Sequence, residues 1–151
     1  MALCLILLSA TKSNRDISLF NDSLLSLCQQ MVKEDPIQNL KNVLLAHLTY
    51  ARERRETSFI VIMGAMQFSD TVIRRKISRL IQKYLRKIEK MLSGAVKLGL
   101  VKKTINPKIS AIAFLGLIQS TVTVWSYKNF NFIPQKIHAD LWYVYKCGIS
   151  V

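Results

Sequence analysis

Acidic residues are scarce in this chain: 9 Asp and Glu stand against 22 Lys and Arg in 151 residues, a formal net charge of +13. Acid–base catalysis by paired carboxylates needs two acids in one cleft. The pairs Glu34 with Asp35 and Glu53 with Glu56 fall at expected helix ends instead, where they cap or are solvated. Glycine is equally rare, at five residues, and none sits in a loop that could cradle phosphate or in a nucleophile elbow. The three cysteines, Cys4, Cys28 and Cys147, are odd in number and lack metal-ligand spacing. That argues against a disulfide framework and suits a reduced, cytoplasmic setting. The two histidines, His47 and His138, lie far apart with no acid or cysteine at chelating distance. The residues therefore predict no catalytic group, no metal site and no cofactor, and no enzyme.

What remains is a helix-forming chain. Half of it is apolar, Leu, Ile and Lys are abundant, and only three prolines interrupt it, a composition that favours an all-α fold. At this length a single domain buries roughly two thirds of its unfolded surface. Each proline stands where a helix would begin. Asp35-Pro36 and Asn106-Pro107 pair a capping residue with a first-turn proline, and Pro134 marks a third start. Gly99 and Gly148 mark expected stops.

Between these signals the spacing predicts helices from about Ser18 to Lys33 and from Pro36 to about Arg54, the second carrying Ile37, Leu40, Leu44, Leu48 and Ala51 as its inner stripe. SFIVIMGAMQF, from Ser58 to Phe68, is expected to be a short buried helix because no second strand exists to pair with it. The longest helix runs from Thr71 to Leu98, and the last from Pro134 to Cys147 with Ile137, Leu141, Val144 and Tyr145 inward. The first ten residues, MALCLILLSA, have no preceding basic residue and are too short to span a bilayer. Residues 1–17 are expected to be an N-terminal remnant or an altered start, and 18–151 the domain.

Two stretches carry most of the functional signal. Between Lys108 and Lys128 there is no charge. Ile109, Ile112, Ala113, Gly116, Ser120, Val124 and Tyr127 would line one face of this helix, and Ala111, Leu115, Ile118, Val122 and Trp125 the other. A helix apolar all round is buried on both sides or crosses a membrane. Its serines, threonines and Gln119 weaken stable membrane insertion, so one face is expected on the chain's own core and one on a second subunit. The Thr71 to Leu98 helix has an apolar stripe opposed by a basic face that, with Lys102 and Lys103, holds half of the positive charge. That face suits a solvated bundle exterior, an anionic membrane or nucleic-acid phosphate. A small basic membrane-associated protein and a non-specific nucleic-acid-binding helical protein both stay open as alternatives.

Taken in order, Asp35-Pro36-Ile37 leading LKNVLLAHLTYARER, the SFIVIMGAM segment, LSGAVKLGLV, TINPKISAIAF, LGLIQSTVTVWSY and the final helix closing at Cys147-Gly148 resemble the C-terminal regulatory domain of the TetR family of transcriptional repressors. The resemblance covers the chain from about Ser18 onward. It implies a bundle of about five to six helices, dimerising through the last two long helices into a four-helix interface. Ile109, Ile112, Ala113, Gly116, Ser120, Val124, Leu141 and Tyr145 are then expected at the dimer interface. It also implies a pocket for a small apolar or cationic effector, for which inward spacing nominates His47, Tyr50, Met63, Met66, Tyr84, Ile118, Gln119 and Trp125. Family members begin with a helix-turn-helix head, for which there is no room before Ser18. DNA contact is therefore expected only through such a missing head, and this chain is expected to be unable to bind operator DNA alone.

Overall fold

The computed structural model describes residues 35–53, 71–127 and 133–150. They form four helices, α1 (Pro36–Glu53), α2 (Thr71–Lys97), α3 (Pro107–Tyr127) and α4 (Pro134–Ile149), with no strand among the described residues. The fold is all-α. The expected helices at Ser18 to Lys33 and Ser58 to Phe68, and residues 1–17, lie outside the described residues.

Capping chemistry sets the starts of α1 and α3. The Asp35 carboxylate accepts the Ile37 N–H at 2.8 Å. The Asn106 side-chain oxygen accepts those of Lys108 and Ile109 at 3.0 and 3.2 Å. Each satisfies first-turn donors that have no partner within the helix, while Pro36 and Pro107 contribute none. Helix α4 starts at Pro134 from an extended Ile133 without a side-chain cap. At the end of α2, Gly99 takes φ 70°, Leu100 N–H donates to the Ala95 carbonyl at 2.9 Å and Gly99 N–H to that of Val96 at 3.1 Å. This is a Schellman turn, in which glycine relieves the left-handed position.

Gly148 does not end its helix. Helix α4 continues to Ile149, whose side chain is buried and whose carbonyl accepts the Lys102 N–H at 2.9 Å. That anchorage holds the last turn through the glycine.

Among the described residues one main core cluster forms. Leu40, Val43, Leu44, Leu48 and Ala51 of α1 meet Tyr84, Ile88, Leu92 and Ala95 of α2 and Ala111, Phe114, Ile118, Val122 and Trp125 of α3. Burying each of the larger of these contributes roughly 1.5–3 kcal/mol. Helix α3 lies chiefly on α2, whereas α4 leans mainly on α1 and only lightly on α3. The stripe of α4 differs from the expected one by one position. His138, Trp142, Tyr145 and Ile149 are buried, Ile137 and Leu141 are half-buried, and Val144 is 63% exposed. Trp142 is the largest apolar side chain of the helix, and turning it inward removes more apolar surface from water than turning in Val144.

Phe114 is 0% exposed, so Phe114→Ala is expected to cost about 3–5 kcal/mol in urea unfolding. Asn106→Ala, which loses a cap and no core, is expected to cost about 1 kcal/mol. Equal losses for the two would contradict this division between core and cap.

Candidate functional site

Two sites emerge, one inside the bundle and one on its surface. The interior site is polar and small. His47 on α1 is 3% exposed and Tyr84 on α2 is 7% exposed. Nδ1 of His47 lies 3.3 Å from the Tyr84 hydroxyl in a buried hydrogen bond, and the rings meet edge to face at 5.7 Å and 87°. Burial pushes the His47 imidazole from 6.5 down to about 4, so the ring is neutral at physiological pH. A hydrogen-bonded polar pair at the meeting of two helices is costly to build in a core. It gives this part of the interior the means to orient a polar group of a bound molecule.

Of the other residues expected to line a pocket, Ile118 and Trp125 are fully buried and belong with Tyr84 to the core cluster. Tyr50 and Gln119 are half-buried. Met63 and Met66 lie outside the described residues.

The surface site is the outer face of α3 with the adjoining side of α4. Ile109, Ile112, Val124 and Tyr127 are 60, 49, 50 and 76% exposed, and Ala113 and Ser120 are exposed with them. On α4, Tyr143 and Val144 are 69 and 63% exposed. Between the helices runs an open groove of about 580 Å³, lined by Ser120, Thr121, Val124, Ile137, Asp140, Leu141 and Val144. None of the described residues nominated for an effector pocket lines it. Gly116 is half-buried on the same face, and a Cβ added there meets nothing within 4 Å.

Tyr145 does not belong to this surface. It is 8% exposed, its hydroxyl donates to the Ser110 carbonyl at 3.0 Å, and its ring stands edge-on to Phe114 at 5.1 Å and 70°. Burial raises its phenol above the usual range. Spacing missed Phe114, Trp142, His138 and Tyr143 because it assigned α4 the wrong stripe and left Phe114 on neither face of α3. The signal that could have found the first two is size, since the largest apolar side chains of a helix usually turn inward.

With this geometry in place, residues 20–144 match the family profile of the YsiA-like protein, C-terminal region, a TetR C-terminal family. The chain belongs to this TetR family. The TetR-type domain also resembles solved regulators. Against FadR from Bacillus subtilis in complex with stearoyl-CoA the TM-score is 0.74 at 18% identity, covering 89% of this chain and 74% of that one. Against FadR from Bacillus halodurans it is 0.75 at 16% identity, with the same coverages of 89% and 74%. Against AibR in complex with isovaleryl coenzyme A and operator DNA it is 0.67 at 20% identity, covering 86% and 68%. At these identities the likeness is one of fold. A comparison with curated proteins found no match. Family and fold are those of transcriptional regulators.

The His47 shift gives the TetR-type domain a pH signature. In the unfolded chain His47 titrates near 6.5, and in the fold at about 4. Between these values the unfolded state binds a proton that the folded state refuses. Stability is therefore intact above pH 6.5 and falls as the pH drops toward 4, by about 3 kcal/mol in all. Urea midpoints at pH 7 and pH 4.5 are expected to fall more steeply for the native chain than for His47→Phe. Parallel profiles would contradict the burial of a neutral ring.

Proposed function

We propose that residues 18–151 form the effector-sensing and dimerising domain of a cytoplasmic TetR-type transcriptional regulator. The observation that carries this reading is the outer face of α3. Ile109, Ile112, Val124 and Tyr127 leave a helix half in the core and half bare, and a contiguous apolar face of this kind on a water-soluble bundle calls for a protein partner. A second copy fits, since a two-fold axis would set α3 and α4 against their equivalents and bury the same patch on both subunits. Ile109, Ile112, Ala113, Gly116, Ser120, Val124 and Leu141 make up this interface, joined by Tyr143 and Val144. In this reading the operator sequence is read by a helix-turn-helix head.

The effector is a small molecule with an apolar body, held among Tyr50, Tyr84, Ile118, Gln119 and Trp125 with His47 as a polar anchor. An acyl thioester of coenzyme A is the favoured class. FadR from Bacillus subtilis was solved with stearoyl-CoA and AibR with isovaleryl coenzyme A, and a chain of net charge +13 attracts an anionic ligand over a cationic one. Binding to the folded state alone raises stability by about 2.7 kcal/mol at a hundredfold excess over Kd.

One observation favours a second reading. The stretch Pro107–Trp125 is long and apolar enough to cross a membrane, with 28% of it buried, which fits a small basic protein anchored through α3. Recovery of the chain in detergent-free solution as a defined dimer separates the two readings.

Light scattering on a sizing column is expected to give twice the chain mass of 17.3 kDa at micromolar concentration, and a monomer would overturn the dimer. A Cβ added at Gly116 meets nothing within 4 Å in the protomer, so for Gly116→Leu the fold is expected to persist while dimer affinity drops tenfold or more. An unchanged dimer would assign the interface to another face. In thermal unfolding, stearoyl-CoA or isovaleryl-CoA is expected to raise Tm, and no shift with either would remove the acyl-CoA class.

A further inference from the structure

Helix α2 has a second face that takes no part in the proposed dimer interface or effector pocket. Arg75, Arg79, Lys83, Arg86, Lys90 and Lys97 are all exposed. At 3.6 residues per turn they fall within an arc of about 80°, and at 1.5 Å per residue the row is about 33 Å long. Glu89 is the one acidic residue of the helix, and it is half-buried. Such a row concentrates positive potential along a straight, rigid edge. A surface that serves only for solubility has no need of one sign, because mixed charges do the same work at less repulsive cost.

The rest of the helix narrows the choice of polyanion. An amphipathic helix that lies in a bilayer inserts its apolar side. The apolar side of α2 is committed to the bundle, with Ile77, Tyr84, Ile88, Leu92 and Ala95 buried, and Val72, at the first turn, is the strongly exposed apolar residue among those of the helix whose side chains are described. Single-stranded nucleic acid is gripped by aromatic rings that stack on bases, and the one aromatic residue of α2, Tyr84, is buried. A single small phosphate compound is much shorter than the row. Duplex nucleic acid matches it in both charge and length: 33 Å corresponds to about ten base pairs at 3.4 Å each, one turn of the duplex, over which a straight row crosses the phosphates of both strands on either side of a groove.

We propose that the outer face of α2 docks on the phosphate backbone of duplex DNA without reading its sequence. The contacts are lysine and arginine to phosphate, which position a protein on a duplex but carry no base information. The proposal rests on the exposure and charge of α2 alone, so it stands or falls independently of the dimer and of the effector.

The test is fluorescence anisotropy of a 20-base-pair duplex with the full chain at 50 and 200 mM NaCl. Six phosphate contacts predict a loss of affinity of roughly 10³-fold between these salts. The variant R75Q/R79Q/R86Q/K90Q retains two contacts of the row and is expected to lose only about tenfold, with unchanged helical circular dichroism. If that variant does not fold, R75Q/R79Q and R86Q/K90Q are read separately, each lowering the salt slope by about 1.8. A second duplex of unrelated sequence is expected to bind within twofold of the first. No binding at 50 mM salt overturns the proposal, as does an unaltered slope in the variants. Binding to phosphatidylglycerol vesicles without binding to the duplex overturns it in favour of a membrane surface.

Discussion

Helix α3 has no uncharged-versus-charged division to tell it which way to face. Between Lys108 and Lys128 every side chain is uncharged, and a helix of that kind is stable in water only if both of its sides are covered. The rest of the bundle supplies one cover. Helices α1 and α2 close over Ala111, Phe114, Ile118, Val122 and Trp125, and among the described residues Trp125 and Phe114 are the largest fully buried side chains. The other side stays bare. Helix α2 packs along α3, while α4 leans mainly on α1 and leaves the outer face of α3 open within one protomer.

Inside the bundle the same economy of polar groups gives His47 and Tyr84 their significance. Most of the interior is aliphatic or aromatic carbon, and a polar ring buried there must be neutral and hydrogen-bonded to be tolerated. His47 meets both conditions, with a pKa lowered to about 4 by burial and the Tyr84 hydroxyl 3.3 Å away. Two apolar residues of similar volume would pack there at lower cost. The pair thus marks the place where the fold accepts a stability penalty, and such places in a protein usually serve ligand binding or specificity.

Much of this was legible in the sequence, and the exceptions have physical reasons. Asp35-Pro36 and Asn106-Pro107 located two helix starts because a cap is a local interaction, written within four residues. Gly99 located a stop for the same reason. The two faces of α3 were legible because apolar spacing there leaves few choices. In helix α4 Tyr145 was rightly expected inward, but Val144 was placed inward and His138 and Trp142 were not, because both sets repeat at helical spacing and only tertiary contact decides between them. Gly148 failed as a stop because Ile149 is held by a backbone bond to Lys102, far away in the sequence. A long-range anchor outweighed the local preference of glycine. The nominated pocket residues His47 and Tyr84 were brought together by the fold, but no periodicity could have shown that they touch, since they sit on different helices 37 residues apart.

The correction at Tyr145 bears on how the outer face keeps its shape. Helices α3 and α4 share that face yet touch each other only lightly, so side-chain packing between them, with Phe114 against Tyr145, is a small part of what fixes the angle of the groove. Point attachments supply the rest. The Tyr145 hydroxyl donates to the Ser110 carbonyl near the start of α3, the Ile149 carbonyl accepts from Lys102 in the loop before it, and Nε2 of His138 lies 3.1 Å from the Lys41 carbonyl on α1. These three attachments tie α4 at its beginning, middle and end, to three different parts of the chain. Directional bonds of about 1 kcal/mol each resist rotation of α4 more than they add to total stability. A face held in this way has its geometry set by α1, by the start of α3 and by the loop between α2 and α3.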